Sequence, residues 1–160
     1  FPVICFAAGT VTQTTENYPD FGIRKVIFTC TGDVADGSIP NTATSSPNTL
    51  FIKGWLLYQV EAYPTGGGTA PDAADVFILD VNSLDLLGSE DGSTTAYAGL
   101  NLIHATLKRA TLPDLYLPRA GIHVDYYPIV TGALTLKVSN QATVSANYTV
   151  VLTFLQVKER

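Results

Sequence analysis

Two stretches of strict alternation constrain the fold more than any other feature of this chain. In NYTVVLTFLQV, Tyr148, Val150, Leu152 and Phe154 fall on one side, while Asn147, Thr149 and Thr153 fall on the other. In ALTLKVS, Leu134, Leu136 and Val138 oppose Thr135, Lys137 and Ser139. A period of two places every second side chain on one face of a strand. Joined by NQATVSA, the two runs predict an antiparallel hairpin with one buried and one solvated face.

Further strands are expected at VICF, RKVIFTC, ADVFILDV and IHVDYYPIV, the last ending near Tyr127 because Pro128 follows. TLFIKGWLLYQVEAY reads as one long strand interrupted at Gly54. Leu50, Ile52, Leu56, Tyr58 and Val60 would share one face, and Phe51, Lys53, Trp55, Gln59 and Glu61 the other. Leu100, Ile103, Leu107 and Ala110 recur at helical spacing and predict a short helix near 98–110. Loops dense in Gly, Pro, Asp, Ser and Asn separate the runs, as in TGDVADGSIPNTATSSPN, PTGGGTAPD and TLPDLYLPRAG. Many short strands between such loops predict an all-β, antiparallel β-sandwich of jelly-roll or Ig-like type. At 160 residues it forms a single domain, 1–160, with residues 1–8 as an N-terminal strand or docking arm.

Composition narrows the function classes. Only 14% of residues are charged, against roughly 25% in an average soluble domain. A surface so lean in charge suits a subunit that packs against partners, because uncovered apolar area promotes association. The net charge of −5 argues against nucleic acid as a partner, which calls for clustered Lys and Arg. No apolar run reaches the roughly 18 residues of a membrane span, so no membrane association is expected. The opening FPVICFAAG has no basic residue ahead of it and is short for a signal peptide.

The loop TCTGDVADGSIP raises the question of chemistry. A calcium loop of the EF-hand kind alternates oxygen ligands before its glycine and closes with a bidentate Glu. Here Val34 and Ala35 follow Asp33, and no Glu occurs between Asp36 and Glu61. The two aspartates therefore read as turn caps, with Gly32 and Gly37 supplying unusual backbone angles. Replacing Asp33 or Asp36 by Ala should disturb folding or assembly rather than a reaction.

Other candidate chemistry is equally sparse. His104, His123 and Asp125 contain the parts of a two-His, one-carboxylate metal site, but at a spacing that does not define one. No G-x-S-x-G elbow is present. Cys5 and Cys30 lie in apolar runs that raise a thiol pKa, and they read as buried free thiols, with a disulfide between neighbouring strands as the alternative. Asp80 with Asp85, or Glu90 with Asp91, would act as a glycosidase pair only across a cleft of roughly 5–9 Å. Gly66, Gly67 and Gly68 precede no Lys-Ser/Thr and make no phosphate cradle. Asn147, Tyr148 and Thr149 match a glycosylation acceptor within a strand. Neither an enzyme nor a cofactor is expected. The aromatic residues Trp55, Tyr58, Tyr63, Tyr97, Tyr116, Tyr126 and Tyr127 suit a core, a protein interface or a sugar platform.

The order of these patterns carries a resemblance. TCTGDVADGSIP, then IKGWLLYQVEAYP, then APDAADVFILDVNSLDLLG, and finally TGALTLKVSNQATVSANYTVVLTF, resemble small virion structural proteins of tailed bacteriophages over most of residues 23–157. The segment from about Ser89 to Tyr127 departs from that pattern. The resemblance implies a β-sandwich that binds capsid or tail proteins of the virion, forms a homo-oligomer and is located in the virion after assembly in the host cytoplasm. Within that class a capsid decoration or cement protein is expected, with a tail or head-to-tail accessory protein, or a carbohydrate- or receptor-binding module, as alternatives. Candidate interface residues are Phe1, Val3, Phe6, Trp55 and Tyr116.

Overall fold

The computed structural model describes residues 9–88, 100–117, 122–125 and 127–157, with the backbone alone described over 114–117 and 122–125. Eleven strands and one short helix follow in order: β1 (Thr10–Tyr18), β2 (Ile23–Thr31), β3 (Thr42–Ala43), α1 (Ser46–Ile52), β4 (Leu56–Pro64), β5 (Ala74–Leu79), β6 (Leu100–Ile103), β7 (Arg109–Thr111), β8 (Asp114–Leu117), β9 (Ile122–Asp125), β10 (Thr135–Ser139) and β11 (Asn147–Leu155). A five-stranded sheet, β1-β2-β11-β4-β7, packs on a four-stranded sheet, β3-β10-β5-β6, and β8 pairs with β9. Every strand pairing is antiparallel. The architecture is the expected β-sandwich.

The alternation of β11 explains its central place. Tyr148, Val150, Leu152 and Phe154 are completely buried beside Val26, Phe28 and Cys30 of β2 and Leu57, Val60 and Ala62 of β4. Val76, Ile78 and Leu136 of the facing sheet close the same core. Burial of each large side chain of this kind contributes about 1.5–3 kcal/mol. The second face of β11 is also covered: Thr149, Val151 and Thr153 are buried, so it is not the solvated face that alternation alone predicts.

Three sequence expectations change. First, β10 and β11 do not form a hairpin; they belong to opposite sheets, and residues 140–146 cross between them. Second, TLFIKGWLLYQVEAY is not one strand. Residues 46–52 form α1, begun by Ser45, whose side chain accepts a hydrogen bond from Asn48 N–H, with proline in the first turn. Gly54, at φ 82°, then turns the chain into β4. A bulge opposite Thr153 and Phe154 puts Tyr58 outside and Leu57 inside, opposite to the face expected for Tyr58. Third, residues 100–103 and 109–111 are strands of different sheets, so the expected helix does not form over 100–110, and the one α-helix among the described residues lies at 46–52. The strand expected at VICF lies outside the described residues.

Candidate functional site

The two ends of the sandwich differ in chemistry. One end carries the loop that follows β2, and it is built from hydrogen bonds. Asp33 is buried, and its Oδ1 accepts the Ala35 N–H at 2.6 Å. Its backbone N–H donates to Ser38 O at 2.8 Å, and its carbonyl accepts from Gly37 and Ser145. Asp36 Oδ1 accepts the Ser38 N–H, and these bonds from Ser38 hold the exposed Asp36 carboxyl below its ordinary value. Gly37 adopts φ 77°, where a Cβ would stand 2.7 Å from Thr143 O, so only glycine fits without displacing the crossing segment. Gln141 Nε2 donates to Thr143 O and Gly37 O, locking loop to crossing. Asp33 and Asp36 cap turns as the sequence reading expects, and the bonds to Ser145 and Gln141 further clasp the loop to the crossing between the sheets.

The opposite end is apolar. Tyr18 ends β1, Ile23 begins β2, Leu155 ends β11 and Leu56 begins β4, all side by side. Nine of the twelve exposed large hydrophobic residues among those described lie at this end, and the three others, Val34, Leu107 and Val144, at the Asp33 end. Phe21 is 77% exposed and Leu50 73%, and the exposed Val157 follows Gln156, whose N–H donates to Gly22 O next to Phe21. Next to these, Tyr58 stacks on Tyr127 with ring centroids 5.9 Å apart, and Leu56 bridges to Ile129. Val81, Leu84 and Ile129 rim a dimple of about 180 Å³. That volume falls short of the roughly 300–1,000 Å³ typical of small-molecule pockets, so the dimple suits a protruding side chain better than a metabolite.

Arg24 organises this end. Its guanidinium carbon lies 4.4 Å from the Phe51 ring centroid and 4.1 Å from that of Trp55. The same guanidinium donates to the Phe51 carbonyl in the last turn of α1, where a positive charge meets the negative end of the helix dipole favourably. A planar cation between two rings fixes α1 and Trp55 to β2. Trp55 is thus half-buried, with a ring face taken by Arg24. Of the other expected interface residues, Tyr116 lies in β8, where only the backbone is described, and Phe1, Val3 and Phe6 lie outside the described residues. Leu50, expected on an apolar strand face, is instead exposed, while Phe21 and Ile129 carry no sequence signal that they face outward.

The remaining candidates for chemistry have structural tasks. Asp80 Oδ1 accepts from Asn82 N and Leu84 N, and Asp85 Oδ1 from Ile78 N and Leu87 N, so both carboxylates shape the loop after β5. His104 Nδ1 accepts from Thr106 N. Among the described residues no group of three His, Cys, Asp or Glu side chains could hold a metal ion, and no helix is long and apolar enough to cross a membrane. Asn147 donates to Ser145 O and accepts from Thr31 Oγ1, so its amide is already engaged. Cys30 is a buried free thiol. Glu90 and Asp91 lie outside the described residues.

Fold and surface together define a β-sandwich protein with one hydrogen-bonded end and one apolar end. No family model, no curated protein and no solved structure matches the chain.

Proposed function

We propose that this chain is a structural protein of a tailed-bacteriophage virion, a decoration or cement protein that stabilises the capsid shell by burying its apolar end against neighbouring subunits. The observation that carries the reading is the concentration of exposed apolar side chains at the Trp55 end. Apolar exposure gathered at one end in this way supports a protein contact surface. The low charge content of the chain and the resemblance of its motif order to small virion proteins support the same role. Its physical mechanism needs no turnover and no cofactor: water leaves apolar surface on both partners, and strand addition by residues 1–8 extends the contact.

Mass spectrometry of purified particles, separated into shells and tails, tests this role. The chain is expected in the shell fraction at many copies per particle. Recovery with tails alone would move the role to a tail or head-to-tail accessory protein, and absence from purified particles would refute a virion role altogether. The exposed, stacked pair Tyr58 and Tyr127 favours one second reading, a sugar-binding platform; a glycan array on which no glycan binds would eliminate it.

A further inference from the structure

The strand β1 was not legible as a strand in the sequence, because TVTQTTENY has no apolar face, yet it is the most unusual edge of the molecule. It stands at the margin of the five-stranded sheet and, among the described residues, pairs with β2 alone, over nine residues in unbroken register. In an antiparallel ladder, alternate residues turn both N–H and C=O toward the partner strand and the rest turn them away. A row of backbone donors and acceptors therefore runs along the outer side of β1. Natural sheets guard such rows with short strands, bulges, proline or outward lysines. The other sheet margins follow this rule: β3 has two residues, β7 three, and β6 four with a register shift beside it. Over Thr10–Tyr18 there is no proline, no lysine and no bulge.

The side chains of β1 leave this edge open. All but Val11 and Gln13 are exposed. Gln13 is tied to its own molecule, donating to Ala43 O and accepting from Ser45 N and Asn48 Nδ2. The one charged residue, Glu16, is drawn inward: it accepts from Tyr18 Oη at 2.7 Å and lies 4.0 Å from Lys25 on β2. The single carboxylate of β1 thus has a cation of its own molecule beside it.

We infer that β1 pairs with β1 of a second copy of this chain across a two-fold axis at Thr14, joining two five-stranded sheets into one continuous sheet. The strand is self-complementary in that register. Thr14 faces Thr14 of the partner subunit, Gln13 faces a threonine, and the one acid, Glu16, faces the uncharged Thr12 rather than another carboxylate. A threonine pair opposite one another is a favourable cross-strand contact, whereas opposed like charges are not. An isologous contact of this kind closes as a dimer and leaves no free margin on either β1. The pairing does not depend on a virion partner.

Sedimentation equilibrium on the full chain, with far-ultraviolet circular dichroism to confirm folding, tests the pairing through charge at Thr14. The wild type is expected to dimerise with rising concentration. Thr14→Lys and Thr14→Glu, each placing like charges in opposition, should be monomeric, and an equimolar mixture of the two should dimerise again. Thr12→Lys brings an opposite charge to Glu16 of the partner subunit and should tighten the dimer roughly three- to tenfold at low salt. A wild type that stays monomeric at high micromolar concentration overturns the inference, as does a dimer that persists in both Thr14 variants or a mixture that remains monomeric. If the Thr14 variants fail to fold, an unchanged or weaker dimer in Thr12→Lys overturns it.

Discussion

Cys30 and Tyr148, partners across β2 and β11, should make the fold sensitive to alkali. Both are completely buried. Burial pushes the Cys30 thiol up from 9.0 to about 12. Burial, then the neighbouring Cys30 and Asp72, raise the Tyr148 phenol above its ordinary 10.0. In the unfolded chain both groups ionise at their ordinary values, so as pH rises past 9.0 the unfolded state sheds a thiol proton that the native state keeps. Stability from such a raised pKa is fully present below the unfolded value and is lost as pH climbs toward the native one. The slope is about 1.4 kcal/mol per pH unit for each group. Between about pH 8 and about pH 10.5 the thiol accounts for a loss of about 2 kcal/mol and the phenol for about 1 more. Together they remove a large part of the roughly 5–15 kcal/mol typical of a domain. Urea unfolding at the two pH values measures this directly. Cys30→Ala should reduce the pH-dependent loss by about 2 kcal/mol whatever its effect at neutral pH. Tyr148→Phe should reduce it by about 1 kcal/mol, and at neutral pH it should stabilise the protein. The Tyr148 Oη is buried with no hydrogen-bond partner among the described residues, and deleting such a hydroxyl recovers about 1 kcal/mol of desolvation cost. Equal alkaline losses in wild type and Cys30→Ala, or a destabilised Tyr148→Phe, would refute the reasoning.

Three further outcomes are expected. Asp33→Ala removes the side-chain acceptor of the Ala35 N–H, a part-buried bond, and should cost about 0.5–1.5 kcal/mol in calorimetry, whereas Asp33→Asn keeps an acceptor and should cost less than about 0.5 kcal/mol. Arg24→Lys loses the planar stack between Phe51 and Trp55 and should cost about 1–2 kcal/mol, with a red shift in the fluorescence of Trp55, the chain's single tryptophan; an unshifted spectrum would show that Arg24 does not hold the indole. Phe21→Asp and Ile129→Asp change exposed positions and should each leave stability within about 0.5 kcal/mol while abolishing attachment to particles in a co-sedimentation assay. Attachment at the wild-type level would remove the apolar end from the interface.

The strands that bury one apolar face were legible in the sequence, and those without such a face were not. Tyr148, Val150, Leu152 and Phe154 announce β11 because each alternate position is large and apolar. β1 is hidden because Thr, Gln, Glu and Asn occupy both of its faces, and its place rests on pairing with β2 rather than on its own burial. Leu50 and Ile52 lie two apart, a spacing that a strand and the end of a short helix share, so the capping signal of Ser45 and Pro47 was decisive and local. Leu100, Ile103, Leu107 and Ala110 mimic a helix because residues of β6, of β7 and of the connection between them happen to fall at that spacing. The loop TCTGDVADGSIP shows both sides of the matter: its glycines and aspartates mark a turn in sequence, but the bonds to Ser145 and Gln141 that make it a clasp between sheets are long-range. Exposure at the Trp55 end was illegible for a related reason, since Phe21 and Ile129 look in sequence like core residues. The double stack on Arg24 joins residues far apart in the chain.

The most direct test of the proposed role is cryo-electron microscopy of the intact particle at a resolution that orients the sandwich. The expected result is density for this chain on the capsid shell, with Phe21, Leu50 and Ile129 turned toward the neighbouring subunits and the Asp33 loop turned away. A particle that contains no such density, or one in which the Trp55 end faces open solvent while the Asp33 end makes the contact, would contradict it.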